Sequence, residues 1–524
     1  MTAPPPARTP RLRRLAVPLA LAAVLVSGAG AGQHLTASDL LVRAYRSLLN
    51  MDTERFSREI AEACGPAPPE ACQLLRLTGE RWQIELDLQD RSLDARVLAG
   101  AEEAIRAAEA WTKREPARAE AWFYLGAAYG LRAQMRGLRL ERLAAARDGK
   151  RIKNALERAL ALDPGLEDAH FGIGMYKYLA GVVPAPARLL AWLLLLPGGN
   201  RTEGLQQMLQ ARARGTLLAD EADYQMHWFY LWYENQPEKA LALVEGLRAR
   251  FPRNPVFVWR TAEVQDVYFH DRPAARNTFR ALVAAAEARQ VAAAPLALAR
   301  GRLGLGEQLA ELGDADRALE VLDPVIAARA GAPHGALARA WYLSGLAQDL
   351  LGRREPAVKA YQAAVAAAPA DDPDDLRGLA RARLARAPDA RAGEAYRLSL
   401  EGWRSFERGA LADAAAALDR AIALNPSDAA TRYRLGRLHL ARGETDGARA
   451  EFERVIATRP APPPWILAAA SLEAARIAER AGDRARAITM YRSAAAMRGA
   501  EPDTRDAARA ALARTGASKG APHE

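Results

Sequence analysis

The stretch RYRLGRLHLARGETDGARAEFERVIATRP, Arg432 to Pro460, contains no residue set able to do chemistry, yet it keeps a strict order of Leu-Gly, Ala, Phe and Pro. Thirty-four residues earlier, LEGWRSFERGALADAAAALDRAIALNP sets Gly402, Ala414, Ala421 and Pro426 opposite Gly436, Ala448, Val455 and Pro460. Further upstream, WYLSGLAQDLLGRREPAVKAYQAAVAAAP repeats the intervals with Trp341, Gly345, Gly352, Ala357, Tyr361, Ala364 and Pro369. Recurrence at a fixed period marks a repeat architecture.

These letters resemble the tetratricopeptide repeat, with its W-x2-L-G-x2-Y, A-x3-F, A and P positions. The resemblance covers most of residues 90–500. It implies an all-α fold, an α-solenoid in which antiparallel helix pairs stack into a right-handed superhelix. Small residues such as Gly345 and Ala357 fall where paired helices approach closely, and Tyr361 or Phe452 is expected to fill the gap to the next repeat. Pro369, Pro426 and Pro460 cannot continue a helix's hydrogen bonding and close each unit. A lone pair cannot bury its apolar face, so the array is the stable unit.

The central Ala recurs at Ala240, Ala274, Ala318, Ala357, Ala414, Ala448 and Ala487, in steps of 34, 44, 39, 57, 34 and 39 residues. Regular steps mark direct stacking and long ones mark insertions. A degenerate unit precedes them, with Trp122, Leu125, Gly126 and Tyr129, then Ala155, Ala159 and Pro164; its 42 residues from Trp122 to Pro164 imply helix extensions. The expected organisation is a signal peptide at 1–31 and an N-terminal helical cap at 32–90. Extended degenerate repeats follow at 91–215, then the main array at 216–500 with an insertion near 370–394, and a cap with a tail at 501–524.

At 524 residues the chain exceeds what one core needs, and its Ala, Leu, Arg and Glu usage favours helix. Residues 8–31 have a basic start ending at Arg14, an apolar run from Leu15 to Val26, and a small-residue exit at Ala29-Gly30-Ala31, the pattern of a secretory signal cleaved after Ala31. The alternative is an uncleaved anchor, which Gly28, Gly30 and Gly32 weaken as a bilayer span. Loss of Arg8, Arg11, Arg13 and Arg14 lowers the formal net charge from +10 to +6. The remaining arginines alternate with acids, as on exposed helix faces, so no nucleic-acid partner is expected. Cys64 and Cys72, in EACGPAPPEACQ, have no further Cys or His at zinc spacing, and in an exported chain they read as a disulfide closing a Pro-rich hairpin.

Ala187 to Leu196 is apolar apart from Arg188 and too short to span a bilayer. Two readings stand for the Trp192 helix: a core helix, or an interfacial one giving peripheral membrane contact. The stretch around it also resembles, loosely, the tetratricopeptide repeat protein 39 family, on apolar and Gly positions that transfer no activity.

No HExxH, GxSxG, GxxxxGK or GxGxxG is present, and the glycines of GRLGLGEQ read as packing residues in a first helix. His170, His227, His270, His334 and His439 stand singly. Asp371, Asp372, Asp374 and Asp375 lack the Gly and final Glu of a calcium loop and read as a helix start. No catalytic residue, metal or cofactor is expected. In each repeat the first helix should line the concave side, and positions −6, −3, +1, +4 and +5 from the motif Gly share one face. This stripe collects Phe229, Trp232, Tyr233, Trp259, Glu263, Asp266, Tyr342, Asp349, Trp403, Phe406, Tyr433 and Arg437 as a groove for a protein or peptide partner. The expected function is a non-enzymatic exported scaffold, periplasmic or envelope-associated, assembling an envelope complex. The alternative is a membrane-associated assembly factor held by its N-terminus or the Trp192 helix.

Overall fold

The computed structural model describes residues 35–182, 198–386 and 388–515. The expected signal at 1–31, the run 187–196 with Trp192, and residues 516–524 lie outside the described residues. Among the described residues there are twenty-four α-helices and no strand. Consecutive helices pair and the pairs stack, as in Ala336–Leu350 with Arg354–Ala367, Ala390–Glu407 with Leu411–Leu424, and Ala429–Ala441 with Thr445–Ala457. The protein is an all-α solenoid.

The motif letters acquire their causes here. A Cβ on Gly345 would lie 2.5 Å from the ring of Tyr361, and one on Gly436 would lie 2.5 Å from the ring of Phe452. Each glycine is the slot that receives the aromatic of the second helix. The aromatic therefore fills a gap inside its own repeat, and it also shares an apolar cluster with the helix that follows, Phe452 with Ile466 and Ala470 and Tyr361 with Ala380. The second helices end at Ala367, Leu424 and Ala457, just ahead of Pro369, Pro426 and Pro460.

One position in the Ala series is also corrected. In the helix Arg272–Glu287 the buried residues include Ala275, Phe279, Leu282 and Ala286, so the motif alanine is Ala275 and not Ala274. Its first helix, Pro255–Glu263, continues into a π-helical turn, Val264–Tyr268. Such a turn accommodates one extra residue. Thirteen residues separate the buried Ala262 from Ala275, against twelve between Gly345 and Ala357.

The degenerate unit is longer, with helices Ala119–Leu138 and Arg142–Leu162 of 20 and 21 residues. Asp148, fully buried, pins the extension by accepting from Arg132 (2.6 and 2.9 Å), Arg136 (2.6 Å) and Arg151 (2.9 Å). A buried carboxylate needs such partners to offset lost hydration.

Helices Ser38–Leu49, Thr53–Ala63 and Pro69–Leu86 run along the array rather than across one end of it. Thr36 meets Glu120, the Tyr45 hydroxyl donates to Glu221, Asn254 donates to the Leu49 carbonyl (2.8 Å), and the His334 amide donates to Asp87 (2.6 Å). Trp82 is fully buried, with its ring 4.8 Å from Tyr224 and 5.7 Å from Phe257. Arg81 sits between Glu85 (2.9 Å) and Glu221 (3.5 Å). The second of these helices ends by bringing Cys64 to disulfide reach of Cys72, Cα atoms 5.8 Å apart.

The long step after Ala357 has a tertiary meaning. The chain passes through the short helix Leu376–Ala385, started by Asp372, whose carboxylate accepts from the amides of Leu376 (2.9 Å) and Arg377 (2.8 Å). It then turns so that Gly393 lies on Gly352, where a Cβ would come within 2.4 Å of the Gly352 Cα. From there the array doubles back. The Tyr396 hydroxyl accepts from the Ala315 amide, Trp465 lies over Gly313, Arg276 forks onto Glu501 at 2.8 Å, and Arg498 covers the Phe269 ring at 4.6 Å. The end of this second arm thus meets an earlier part of the first arm than its beginning does.

Candidate functional site

The first helices of the second arm carry a cluster that a Leu-Gly repeat does not require. On Ala390–Glu407, Trp403 and Phe406 stack at 4.9 Å with an interplanar angle of 18°. On the next first helix, Ala429–Ala441, Tyr433 stands 6.5 Å from Trp403, and Arg437 donates to the Tyr433 hydroxyl (3.2 Å) while its guanidinium lies 6.0 Å from the Phe406 ring. Positions three and four apart share a helix face, so each pair points the same way. Arg437 also reaches the buried Glu473 at 3.8 Å, which Arg476 holds at 2.9 Å. Burial raises the Tyr433 hydroxyl above its ordinary pKa, opposed by Arg437. All four side chains are half-buried, and thus fixed by packing while keeping a face in solvent.

The other eight residues of the predicted stripe do not join this surface. Trp259, 1% exposed, is core: Arg300 lies 4.6 Å from its ring and donates to the Leu86 carbonyl, so the N-terminal helices close over it. Phe229 is core as well, packed edge-on against Tyr178 at 5.0 Å. These two cannot line an open groove. Trp232 is 60% exposed and stacks on Trp228 at 4.5 Å, with Tyr233 exposed beside it. Glu263 pairs with Arg260 (2.7 Å), and Asp266 accepts from Gln308 (2.8 Å), each tying the array to itself. Tyr342 packs near Tyr361, and Asp349 holds Arg354 and the Tyr361 hydroxyl, both at 3.0 Å.

The stripe omits Trp228, Arg260 and Trp465. Arg260 lies 4.7 Å from the Trp228 ring, and Trp228 itself holds the motif-Gly place from which the stripe of its repeat is counted. Trp465 starts a first helix and meets the first arm through the fold-back, which no local pattern announces. Among the described residues no group of three or more His, Cys, Asp or Glu is placed to hold a metal ion. Among the same residues, no helix is long and apolar enough to cross a membrane.

Residues 338–371 and 405–472 match family models described as tetratricopeptide repeat. The chain carries tetratricopeptide repeats. Repeats of this kind build protein-interaction scaffolds. No curated protein sequence matches the chain. Among solved structures, a tetratricopeptide repeat protein from Parabacteroides merdae is 14% identical, over 56% of this chain and 99% of that one, with a TM-score of 0.24. The human IFIT1 dimer with m7Gppp-AAAA is 13% identical over 74% and 80%, at 0.28, and the APC/C hetero-tetramer Cut9-Hcn1 is 13% identical over 91% and 90%, at 0.25. The stretch resembling the tetratricopeptide repeat protein 39 family falls in part outside the described residues.

Proposed function

We propose that the chain is a non-enzymatic exported scaffold that holds a protein or peptide partner on the inner side of its second arm, in the assembly of a cell-envelope complex. The observation that carries the reading is the convergence of Trp403, Phe406, Tyr433 and Arg437 from two successive repeats. Aromatic and Arg side chains held rigid by packing are the usual anchors of protein interfaces. The signal pattern of residues 8–31 and the paired cysteines support export.

The test is capture of a partner from envelope extract. Trp403→Ala should weaken capture about 30-fold, the usual threshold of an anchor residue, while Lys359→Ala on the outer side leaves it unchanged. Full capture by folded Trp403→Ala and Arg437→Gln proteins would sink the assignment. Export is tested separately: N-terminal sequencing should begin at or near Gly32, and recovery of Met1 or Thr2 would refute cleavage.

A further inference from the structure

The seam between the two arms encloses a cavity of about 210 Å³, which the partner face touches only through Trp403. Its lining holds five arginines against three carboxylates, Asp314, Glu407 and Glu501, with the indoles of Trp403 and Trp465 as apolar wall. Three of the arginines are neutralised: Arg276 by Glu501 (2.8 Å), Arg404 by Asp316 (2.6 Å) and Arg317 by Asp314 (3.1 Å). Arg434 and Arg280 are not. Arg434 is 8% exposed, and its hydrogen-bond partner is the neutral Ser399 hydroxyl at 2.7 Å. Arg280 donates to the side-chain oxygen of Asn277 (3.2 Å). Among the described residues neither guanidinium has a carboxylate within ion-pair distance. Arg280 is exposed, whereas Arg434 is buried with only the longer-range charges of Asp428, Asp314 and Glu407 to offset its lost hydration, and a buried charge so weakly paired is costly. Burial lowers the Arg434 pKa against the pull of Asp428, Asp314 and Glu407, and partial desolvation with the neighbouring Arg276 lowers that of Arg280 against the pull of Glu501.

We propose that this seam cavity binds a small organic oxyanion, a carboxylate or phosphate monoester on a planar or apolar body, with Arg434 and Arg280 as its counter-charges. A planar guanidinium matches either oxyanion in bidentate fashion. The indole walls suit a planar body, and the volume lies below that of drug-sized sites. Because the first arm supplies Arg280 and the second Arg434, the ligand ties the arms together. The site needs no protein partner, so it stands or falls apart from the scaffold reading.

Calorimetric titration of the mature chain with benzoate and with phenyl phosphate reports free ligands, and acetyl-Phe-Glu-amide reports an acidic peptide side chain. Binding by any of these that weakens at least about tenfold in Arg434→Gln and Arg280→Gln supports the site, and the tightest probe identifies the source. Arg434→Met gives an independent readout. With the unpaired charge gone, the ligand-free protein should melt at a higher temperature than wild type and no longer respond to the ligand. No binding by wild type, or binding that both Gln variants retain, overturns the proposal. So does an Arg434→Met protein that melts below wild type, because Arg434 would then be a stabilising core residue.

Discussion

Two aromatic groups lie on first helices of the same array and meet opposite fates. On the first arm, Tyr224, Phe257 and Trp259 are covered by the chain's own residues 35–90, with Trp82 inserted among them. On the second arm, Trp403, Phe406, Tyr433 and Arg437 keep a face in solvent. A ring on a first helix therefore marks a face that something covers, and the covering element can be intramolecular. The first arm also shows what such a cover uses: one inserted indole, a central arginine between Glu85 and Glu221, and hydrogen bonds to backbone at the rim.

Equal truncations should separate the two faces most sharply. Trp82→Ala removes a fully buried indole and should destabilise the protein by about 3–5 kcal/mol in denaturant unfolding, with loss of protease resistance across residues 35–90. Trp403→Ala removes a half-buried ring and should cost no more than about 1 kcal/mol. Equal costs would show that the second arm's cluster is core, and the contrast would vanish.

The hairpin of the covering helices gives a smaller effect. The bond between Cys64 and Cys72 closes a loop of eight residues' separation, and its loss should cost roughly 2–3 kcal/mol. Because residues 35–90 cover the first arm alone, the Cys64→Ser, Cys72→Ser protein should lose hydrogen-exchange protection at Tyr224 to Thr261 and keep it from Ala429 to Ala457. Two freely alkylated thiols in the native exported protein would remove the bond from the account.

The period and the helix pairing were legible in the sequence because each is local, in the recurring Gly and Ala and the Pro after each second helix; the irregular step after Ala357 read only as an insertion, and the reversal there was not legible. The fates of the stripe residues were not legible. Positions three and four apart share a face whether that face is open or covered, so Trp259 and Trp403 read alike. What distinguishes them lies far away in the chain: Arg300 and Leu86 at one, Trp465 and the second arm's own register at the other. The slip from Ala274 to Ala275 shows the same limit, since a single π-turn shifts the register without leaving a letter in the motif.

The last and smallest effect probes the covered face through pH. His227, fully buried between Tyr224 and Trp228, turns Nδ1 to the Tyr224 carbonyl, and burial together with the Arg260 charge pushes its pKa down to about 3. In the unfolded chain a histidine takes its proton near pH 6.5. The folded-state value is depressed, so the contribution is complete above about pH 6.5 and is lost as pH falls from there toward 3. Between pH 7 and pH 5 the loss should be on the order of 2 kcal/mol. Urea unfolding of wild type and His227→Asn at the two pH values isolates it, since Asn can donate to the same carbonyl but does not titrate. The variant should start less stable at pH 7 and lose less on acidification. Parallel losses in the two proteins would mean that His227 reaches solvent, and that residues 35–90 leave the first arm open as the second arm is.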